Sequence, residues 1–191
     1  MTDDSCLLAT HIDPAWRTPA GYQADLQKYV AEHDHDSFVY VSNQQWNDGD
    51  WAYKADEVIA SEGGRLPDDE RDRLLDEHTS FDHIGAYHEQ CHAATWEDLV
   101  QGIYDQARGA TYEVTFPAEL VTGSDERLAD TMTTEQPGSN PLFTERELDA
   151  AEASAAMVEY EAIAAFNAEN DGTFSYDVDP DDLSITWTLH G

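Results

Sequence analysis

The sequence predicts an α+β protein that combines helices with short antiparallel strands and a C-terminal β-hairpin. A capping box at Thr144-Glu145-Arg146-Glu147 opens a helix that runs to about Ala168. Two alternating apolar segments, Phe174–Val178 and Leu183–Leu189, flank the turn sequence Asp179-Pro180-Asp181-Asp182, which is typical of a hairpin. Because 40% of the residues are hydrophobic and their positions are periodic, we expect a folded chain.

The first 64 residues predict two strands and two helices. Ser5–Ile12 is a short apolar run that predicts a strand. The pair Thr18-Pro19 is typical of a helix start, and that helix is expected to reach about His33. Phe38–Val41 predicts a second strand. The segment Trp51–Ser61 has a helical apolar face, with Gly63-Gly64 as its stop.

The middle of the chain predicts three helices and a strand. A helix opens after Pro67, with acidic residues in its first turn. A second helix is expected from Ser80 to about Ala94. Thr95 and Asp98 resemble a capping box for a third helix, which ends before Gly109. The alternation in Thr111–Phe116 predicts a half-buried strand.

The segment 123–143 is rich in Gly, Ser, Thr, Asp and Pro and lacks periodicity, which is typical of a linker or flexible loop. It separates an N-terminal α+β region, residues 1–122, from a helix and hairpin, residues 144–191. The length of 191 residues fits this division into two lobes and also fits one domain.

The charge balance is strongly acidic, with 41 acidic and 9 basic residues and a net charge of -32. Such a charge indicates a protein of a halophilic, salt-adapted microbe, because at about 1 M salt the Debye length is only roughly 3 Å. The sequence has no basic patch, so direct binding to nucleic acid or to an anionic membrane is not expected.

The two cysteines, Cys6 and Cys91, are far apart and form neither a disulfide framework nor a zinc ribbon. The N-terminus lacks a basic region followed by a long apolar run, and no stretch reaches the roughly 18 apolar residues of a membrane span. From this pattern we expect a cytoplasmic protein.

A zinc-binding pattern, HExxH, occurs at His88-Glu89-Gln90-Cys91-His92. On a helix, His88 and His92 share one face and can bind Zn²⁺, while Glu89 can take a proton from metal-bound water. This predicts a zinc-dependent metallohydrolase or peptidase with Glu89 as the catalytic residue. The third ligand is left open among Glu113, Glu119 and Cys91. The alternative is a helix face whose histidines bind only water or neighbouring groups.

Several short segments resemble the ArdA-type antirestriction proteins. Val39-Tyr40-Val41-Ser42-Asn43 and Trp46-Asn47-Asp48-Gly49 resemble the family's opening strand and turn. Ala86-Tyr87, Thr95-Trp96-Glu97-Asp98-Leu99, Gly109 and Phe116-Pro117-Ala118-Glu119-Leu120 follow in the family's order, and together the segments span about half of the chain. The resemblance implies an acidic DNA mimic, often dimeric, that occupies the DNA-binding groove of a type I restriction-modification enzyme and needs no catalytic residue or cofactor.

A DNA mimic presents carboxylates on rigid helices to the basic groove of its protein partner. The candidates for this acidic face are Asp68, Asp69, Glu70, Asp72, Asp76, Glu77, Glu97, Asp98 and Asp105. Ordinary solvation in high salt would use the same residues. We therefore expect a DNA mimic first, and a zinc hydrolase as the alternative.

Overall fold

The computed structural model describes residues 5–12, 18–42, 55–86, 88–105, 109–123, 127, 174–179 and 184–191. The predicted linker 123–143 lies outside these residues beyond Gly123 and Arg127, as does the predicted helix 144–168. The elements, in chain order, are β1 (Ser5–Thr10), α1 (Tyr22–Glu32), β2 (Ser37–Ser42), β3 (Glu57–Ala60), α2 (Asp68–Glu77), β4 (Ser80–Ala86), a π-helical turn (His88–His92), α3 (Ala93–Asp105), β5 (Thr111–Phe116), β6 (Val121–Thr122), β7 (Phe174–Val178) and β8 (Ile185–His190).

The eight strands found among the described residues belong to one mixed sheet, in the order β3-β2-β1-β4-β5-β8-β7, with β6 beside the end of β4. Strands β1 to β6 pair in parallel, whereas β8 runs antiparallel to both β5 and β7. The α+β class and the C-terminal hairpin are confirmed. Among the described strands, the antiparallel pairing expected from the sequence is found at β8.

The parallel strands form because their residues are buried on both faces. Along β1, Cys6 and Leu8 belong to one apolar cluster, while Leu7 and Ala9 belong to another. Successive residues of a strand point to opposite faces, so an uninterrupted apolar run suits a strand covered on both sides. The sheet is therefore the central layer of this part of the molecule.

In the described part of the chain, two helices lie on one face of the sheet and one helix lies on the other. Helices α2 and α3 pack on one face, where Leu74, Trp96 and Leu99 belong to the same apolar cluster as Trp187 of β8. Helix α1 packs on the other face through Tyr22 and Leu26. None of the helices among the described residues is long and apolar enough to span a membrane.

Two predicted helices are wrong in the part of the chain that the structure describes. Glu57–Ala60, inside the predicted helix Trp51–Ser61, is the edge strand β3, whose Val58 and Ile59 are β-branched and pair with Tyr40 and Val41. The first half of the predicted helix Ser80–Ala94 is strand β4. Its last four residues are all buried, and pairing with β1 outweighs helical propensity there.

The other predicted elements that fall within the described residues are confirmed, with small shifts of their ends. Helix α1 begins at Tyr22, after Gly21 as N-cap, rather than at Pro19. Helix α2 follows Pro67, as predicted. In β5, Tyr112, Val114 and Phe116 are the buried side of the alternation.

Candidate active site

The order of the strands reverses at β1 and β4, two adjacent parallel strands whose carboxyl ends lie at the same edge of the sheet. From β1 the chain proceeds through β2 and β3 on one side of the sheet, then crosses to β4 and β5 on the other. In open parallel sheets, the connections that follow two adjacent strands at such a reversal run to opposite faces of the sheet. Ligands bind in the gap between these connections. Here the two strands at the reversal are β1 and β4, so their carboxyl ends define the candidate site.

The backbones of β1 and β4 approach closely at this edge. Thr10 lies opposite Gly85, which has φ +132°, and a β-carbon at Gly85 would collide with the Thr10 backbone. The next residue, His11, is fully buried and has φ +52°. Among the non-glycine residues that the structure describes, His11 alone has a positive φ. Backbone strain of this kind concentrates at functional sites.

A π-helical turn, His88–His92, follows β4 and leads directly into α3. A π turn pairs residues five apart, so the N–H groups of Gln90 and Cys91 have no acceptor within the helix. Such N–H groups at a helix N-terminus attract negative charge. The thiol of Cys91 therefore lies in a turn that is suited to stabilising a developing anion.

The hydroxyl of Thr95 joins three segments beneath this turn. Thr95 Oγ1 lies 2.6 Å from the carbonyl oxygen of Gly64, 3.1 Å from that of Cys91 and 3.0 Å from Thr10 Oγ1. Thr10 Oγ1 in turn lies 3.3 Å from His83 Nε2. Thr10, His83 and Thr95 are fully buried, so these contacts form an internal polar network.

The loop between β3 and α2, residues 61–67, is held against α3 by Asp98. The Asp98 carboxylate accepts from Leu66 N and from Arg65 Nη1, both at 2.8 Å. The predicted capping box of Thr95 and Asp98 is therefore wrong. The helix begins before Thr95, and both side chains bind the loop instead of the helix's own N–H groups.

The histidines of the HExxH pattern are only partly described, because the side chains of His88 and Glu89 lie outside the described part of the structure. The ring of His92 is fully buried and stacks on His83, and its Nε2 donates to the His83 carbonyl oxygen at 3.2 Å. A metal could bind this ring only through Nδ1.

Among the side chains that the structure describes, no three His, Cys, Asp or Glu are grouped as metal ligands. Of the proposed third ligands, Glu119 forms an ion pair with Arg127 at 2.6 Å. Zinc binding stays a prediction.

The two cysteines differ in their surroundings. Burial raises the pKa of the Cys6 thiol to about 12, because Cys6 is fully enclosed in the core beneath α2 and α3. Burial also raises the pKa of Cys91, but Cys91 is only partly buried. Cys91 is therefore the accessible thiol, and in its resting state it is protonated.

The predicted acidic face is largely paired with arginine. Six of its nine carboxylates form ion pairs: Arg71 binds Asp68 and Asp72, Arg73 binds Glu70 and Glu77, and Arg65 binds Glu97 and Asp98. These pairs reduce the negative potential of α2 and the start of α3. DNA mimicry also stays a prediction.

Several residues of this edge were not predicted as site residues from the sequence. In the sequence, Cys91 is a candidate only as a zinc ligand, and no pattern marks Thr10, His11, His83 or Thr95 as a site residue. The available signal was the apolar run Cys6–Ala9 followed by polar residues, which is typical of a doubly covered parallel strand that ends at a site.

Comparison of the chain with protein-family models, with curated proteins and with solved structures found no match.

Proposed function

We propose that this protein is a thiol-dependent acyl-transfer enzyme that hydrolyses a small amide or ester, with Cys91 as the nucleophile. The observation that supports it best is the position of Cys91. This residue is the accessible cysteine of the chain and lies in a π-helical turn directly after β4, at the strand-order reversal where parallel sheets bind ligands.

In the proposed reaction the Cys91 sulfur attacks the carbonyl carbon of the substrate. The carbonyl π electrons move to oxygen, and the N–H groups of Gln90 and Cys91 stabilise that oxyanion. Collapse of the tetrahedral intermediate expels the amine or alcohol, which takes up the proton lost by the thiol. Water then attacks the thioester, so that the acid is released and the thiol is restored.

A base is required, because burial raises the pKa of the Cys91 thiol and keeps it protonated at rest. His11 is our candidate for this role. It lies at the carboxyl end of β1, the strand adjacent to β4, and it has the strained backbone described above.

The experiment is acylation by p-nitrophenyl acetate in molar KCl. We expect a burst of p-nitrophenolate and a mass increase of one acetyl group, located by peptide mapping on the peptide that contains Cys91. The Cys91→Ser variant loses the burst, and His11→Gln slows it. Cys6→Ala is the matched control and keeps it. The proposal is rejected if the wild-type chain is not acylated at Cys91, or if Cys91→Ser turns over at the wild-type rate.

A second candidate is the DNA mimic, and the net charge of -32 favours it. Its partner would be a type I restriction-modification enzyme with a basic DNA-binding groove. Arg73 offers a direct test, because it neutralises Glu57, Glu70 and Glu77 at distances of 2.6 to 2.9 Å. If this face mimics phosphates, removing that positive charge strengthens inhibition of the restriction enzyme.

The test compares Arg73→Gln with the double variant Asp69→Asn/Asp76→Asn in an inhibition assay. The mimic predicts tighter inhibition for Arg73→Gln and weaker inhibition for the double variant, because they change the charge of one face in opposite directions. Equal behaviour of both variants and the wild-type chain, or no inhibition by any of them, rejects this candidate.

A further inference from the structure

A cleft of about 660 Å³ lies beside α1 on the face of the sheet that this helix covers. Its lining includes Tyr29 and His33 of α1, Asp82 of β4 and Thr186 of β8. The Asp82 side chain contacts Tyr29, whereas α3, which follows the turn of Cys91, packs on the opposite face. The cleft is therefore separate from the candidate active site, and its volume suits a small molecule.

The Asp82 carboxylate is held in one orientation at this cleft. Tyr29 Oη donates to Asp82 Oδ2 at 2.6 Å, and His35 Nε2 donates to the same oxygen at 2.7 Å. The side chains of His35 and Asp82 are only 7% and 20% exposed. Because a carboxylate oxygen has two lone pairs, these two donors use the acceptor capacity of Oδ2.

The other oxygen of this carboxylate, Asp82 Oδ1, accepts no hydrogen bond from the residues that the structure describes. Since Asp82 lines the cleft, Oδ1 is the acceptor that remains for a bound molecule. An ionised acceptor forms its strongest hydrogen bonds with charged donors. One remaining oxygen suits an ammonium group, because the planar fork of a guanidinium binds a carboxylate through both oxygens.

Other carboxylates of the cleft are less suited to fixing a ligand in one position. Asp25 and Glu119 form ion pairs with Arg127 at 2.7 and 2.6 Å. Glu32 lies exposed at the end of α1, where salt screens its charge. These groups favour cations in general, whereas Asp82 offers a cation one oriented contact.

Two aromatic rings form a wall of the cleft next to this carboxylate. The rings of Tyr29 and His33 are stacked, with centroids 4.0 Å apart and planes inclined by 19°. His33 Nδ1 also donates to the Tyr29 carbonyl oxygen at 3.0 Å, which fixes the position of the exposed ring. Aromatic faces bind apolar groups and attract cations. Lys28 lines the cleft too, but it is exposed, and its flexible stem lets the ammonium turn to solvent.

We propose that this cleft binds a small primary amine, whose ammonium group donates to Asp82 Oδ1 and whose apolar body packs against Tyr29 and His33. The ligand carries no acidic group, because the surrounding carboxylates repel anions. This site goes beyond the proposed function, since Cys91 has no part in it.

The experiment is isothermal titration calorimetry with 2-phenylethylamine, in molar KCl at about pH 7, where the amine is protonated. Asp82→Asn removes the charge with little change of shape. Glu32→Gln is the matched control, because it makes the same change of charge elsewhere in the same cleft. The neutral analogue 2-phenylethanol has the same body without the ammonium group. Circular dichroism checks that each variant is folded.

For Asp82→Asn we expect the Kd of 2-phenylethylamine to rise at least about tenfold, because a charge-assisted hydrogen bond is lost. Glu32→Gln should change the Kd by less than about twofold, since its charge is screened. The wild-type chain should bind 2-phenylethanol at least about tenfold more weakly than the amine.

Three results would overturn the proposal. The first is no measurable binding of the amine to the folded wild-type chain. The second is an equal rise of the Kd in Asp82→Asn and Glu32→Gln, because the acidity of the cleft alone would then explain the binding. The third is equal affinity of the wild-type chain for the amine and for 2-phenylethanol.

Tyr29→Phe tests the orientation of the carboxylate. It removes one donor from Asp82 Oδ2, while the Asp82 charge and the ring beside His33 remain. The wild-type chain should bind 2-phenylethylamine more tightly than 2-phenylethylguanidine, and Tyr29→Phe should reduce this preference because Oδ2 can then join a guanidinium fork.

If Asp82→Asn does not fold, the comparison of the amine with the guanidine decides the question. A wild-type preference for the guanidine, or an unchanged preference in folded Tyr29→Phe, overturns the assignment of Oδ1 as the contact. Neither assay depends on acylation of Cys91, so this proposal and the proposed enzyme can fail separately.

Discussion

The imidazole rings of His83 and His92 lie face to face, with centroids 3.8 Å apart and planes inclined by 8°. The ring of Phe116 lies nearly perpendicular to both, with centroids 5.7 Å from His83 and 4.9 Å from His92, and His92 donates to the carbonyl oxygen of His83. The stack therefore joins β4 to the π-helical turn. It supports the turn that carries Cys91 from within the core.

His92→Ala should destabilise the protein by about 2–4 kcal/mol, because it removes a fully buried ring and leaves a cavity. The measurement is urea denaturation in molar KCl. The control is His33→Ala, since His33 is exposed and its loss should change the free energy of unfolding by less than about 0.5 kcal/mol. Equal unfolding midpoints for the two variants would show that the stack contributes little.

Elemental analysis of protein purified in high salt without a His-tag tests the zinc alternative. Because the ring of His92 is committed to His83 by stacking and by a hydrogen bond, we expect well under one zinc per chain. The double variant His88→Ala/His92→Ala is the comparison. About one zinc per wild-type chain, lost in the double variant, would instead establish a metal site and redirect the search to a third ligand.

Local patterns predicted most elements of this fold but not the arrangement of the strands. The alternation of Thr111–Phe116 identifies β5, because one face of that strand is apolar. Strand β4 was predicted as a helix, since the run from Ser80 to Ala86 is apolar at positions that suit either structure. The parallel pairing of β1 with β4 joins residues about 75 positions apart, which no local pattern encodes.

The candidate site was predicted only in part, for the same reason. The sequence drew attention to the stretch around Cys91, but it could not show that Thr10 and Gly64 meet Thr95 there. These contacts join strand β1, the loop 61–67 and helix α3, which are far apart in the sequence and meet at one edge of the sheet. The spacing of Asp98 from Thr95 predicts a helix cap. In the folded protein the Asp98 carboxylate instead accepts hydrogen bonds from Leu66 N and Arg65 Nη1.

The buried thiol of Cys6 should make stability depend on alkaline pH. Its pKa is raised from 9.0 to about 12 in the folded protein. Below pH 9 the thiol is protonated in both states. Between pH 9 and pH 12 the Cys6 thiol ionises only in the unfolded chain. The free energy of unfolding therefore falls by about 1.4 kcal/mol per pH unit as the pH rises.

The measurement compares the wild-type chain with Cys6→Ala by urea denaturation in molar KCl at about pH 8, 9 and 10. We expect the difference in unfolding free energy between the wild-type chain and Cys6→Ala to decrease from pH 9 to pH 10. Ionisation of other groups is common to both chains and cancels in the difference. Two stability curves that stay parallel over this range would contradict the burial of the Cys6 thiol.

Salt should raise the melting temperature, because at a net charge of -32 the surplus carboxylates repel one another in dilute buffer. The Debye length falls from about 10 Å at 0.1 M salt to about 3 Å at 1 M, which screens this repulsion. Screening also weakens the partly exposed ion pairs of Arg65 and Arg73, but such pairs contribute only about 0–1 kcal/mol each.

The measurement is a thermal melt by circular dichroism across this range of KCl. A parallel series in potassium sulfate at matched ionic strength separates screening from exclusion of the salt from the protein surface. A melting temperature that does not change between dilute buffer and molar KCl would contradict the salt adaptation inferred from the sequence.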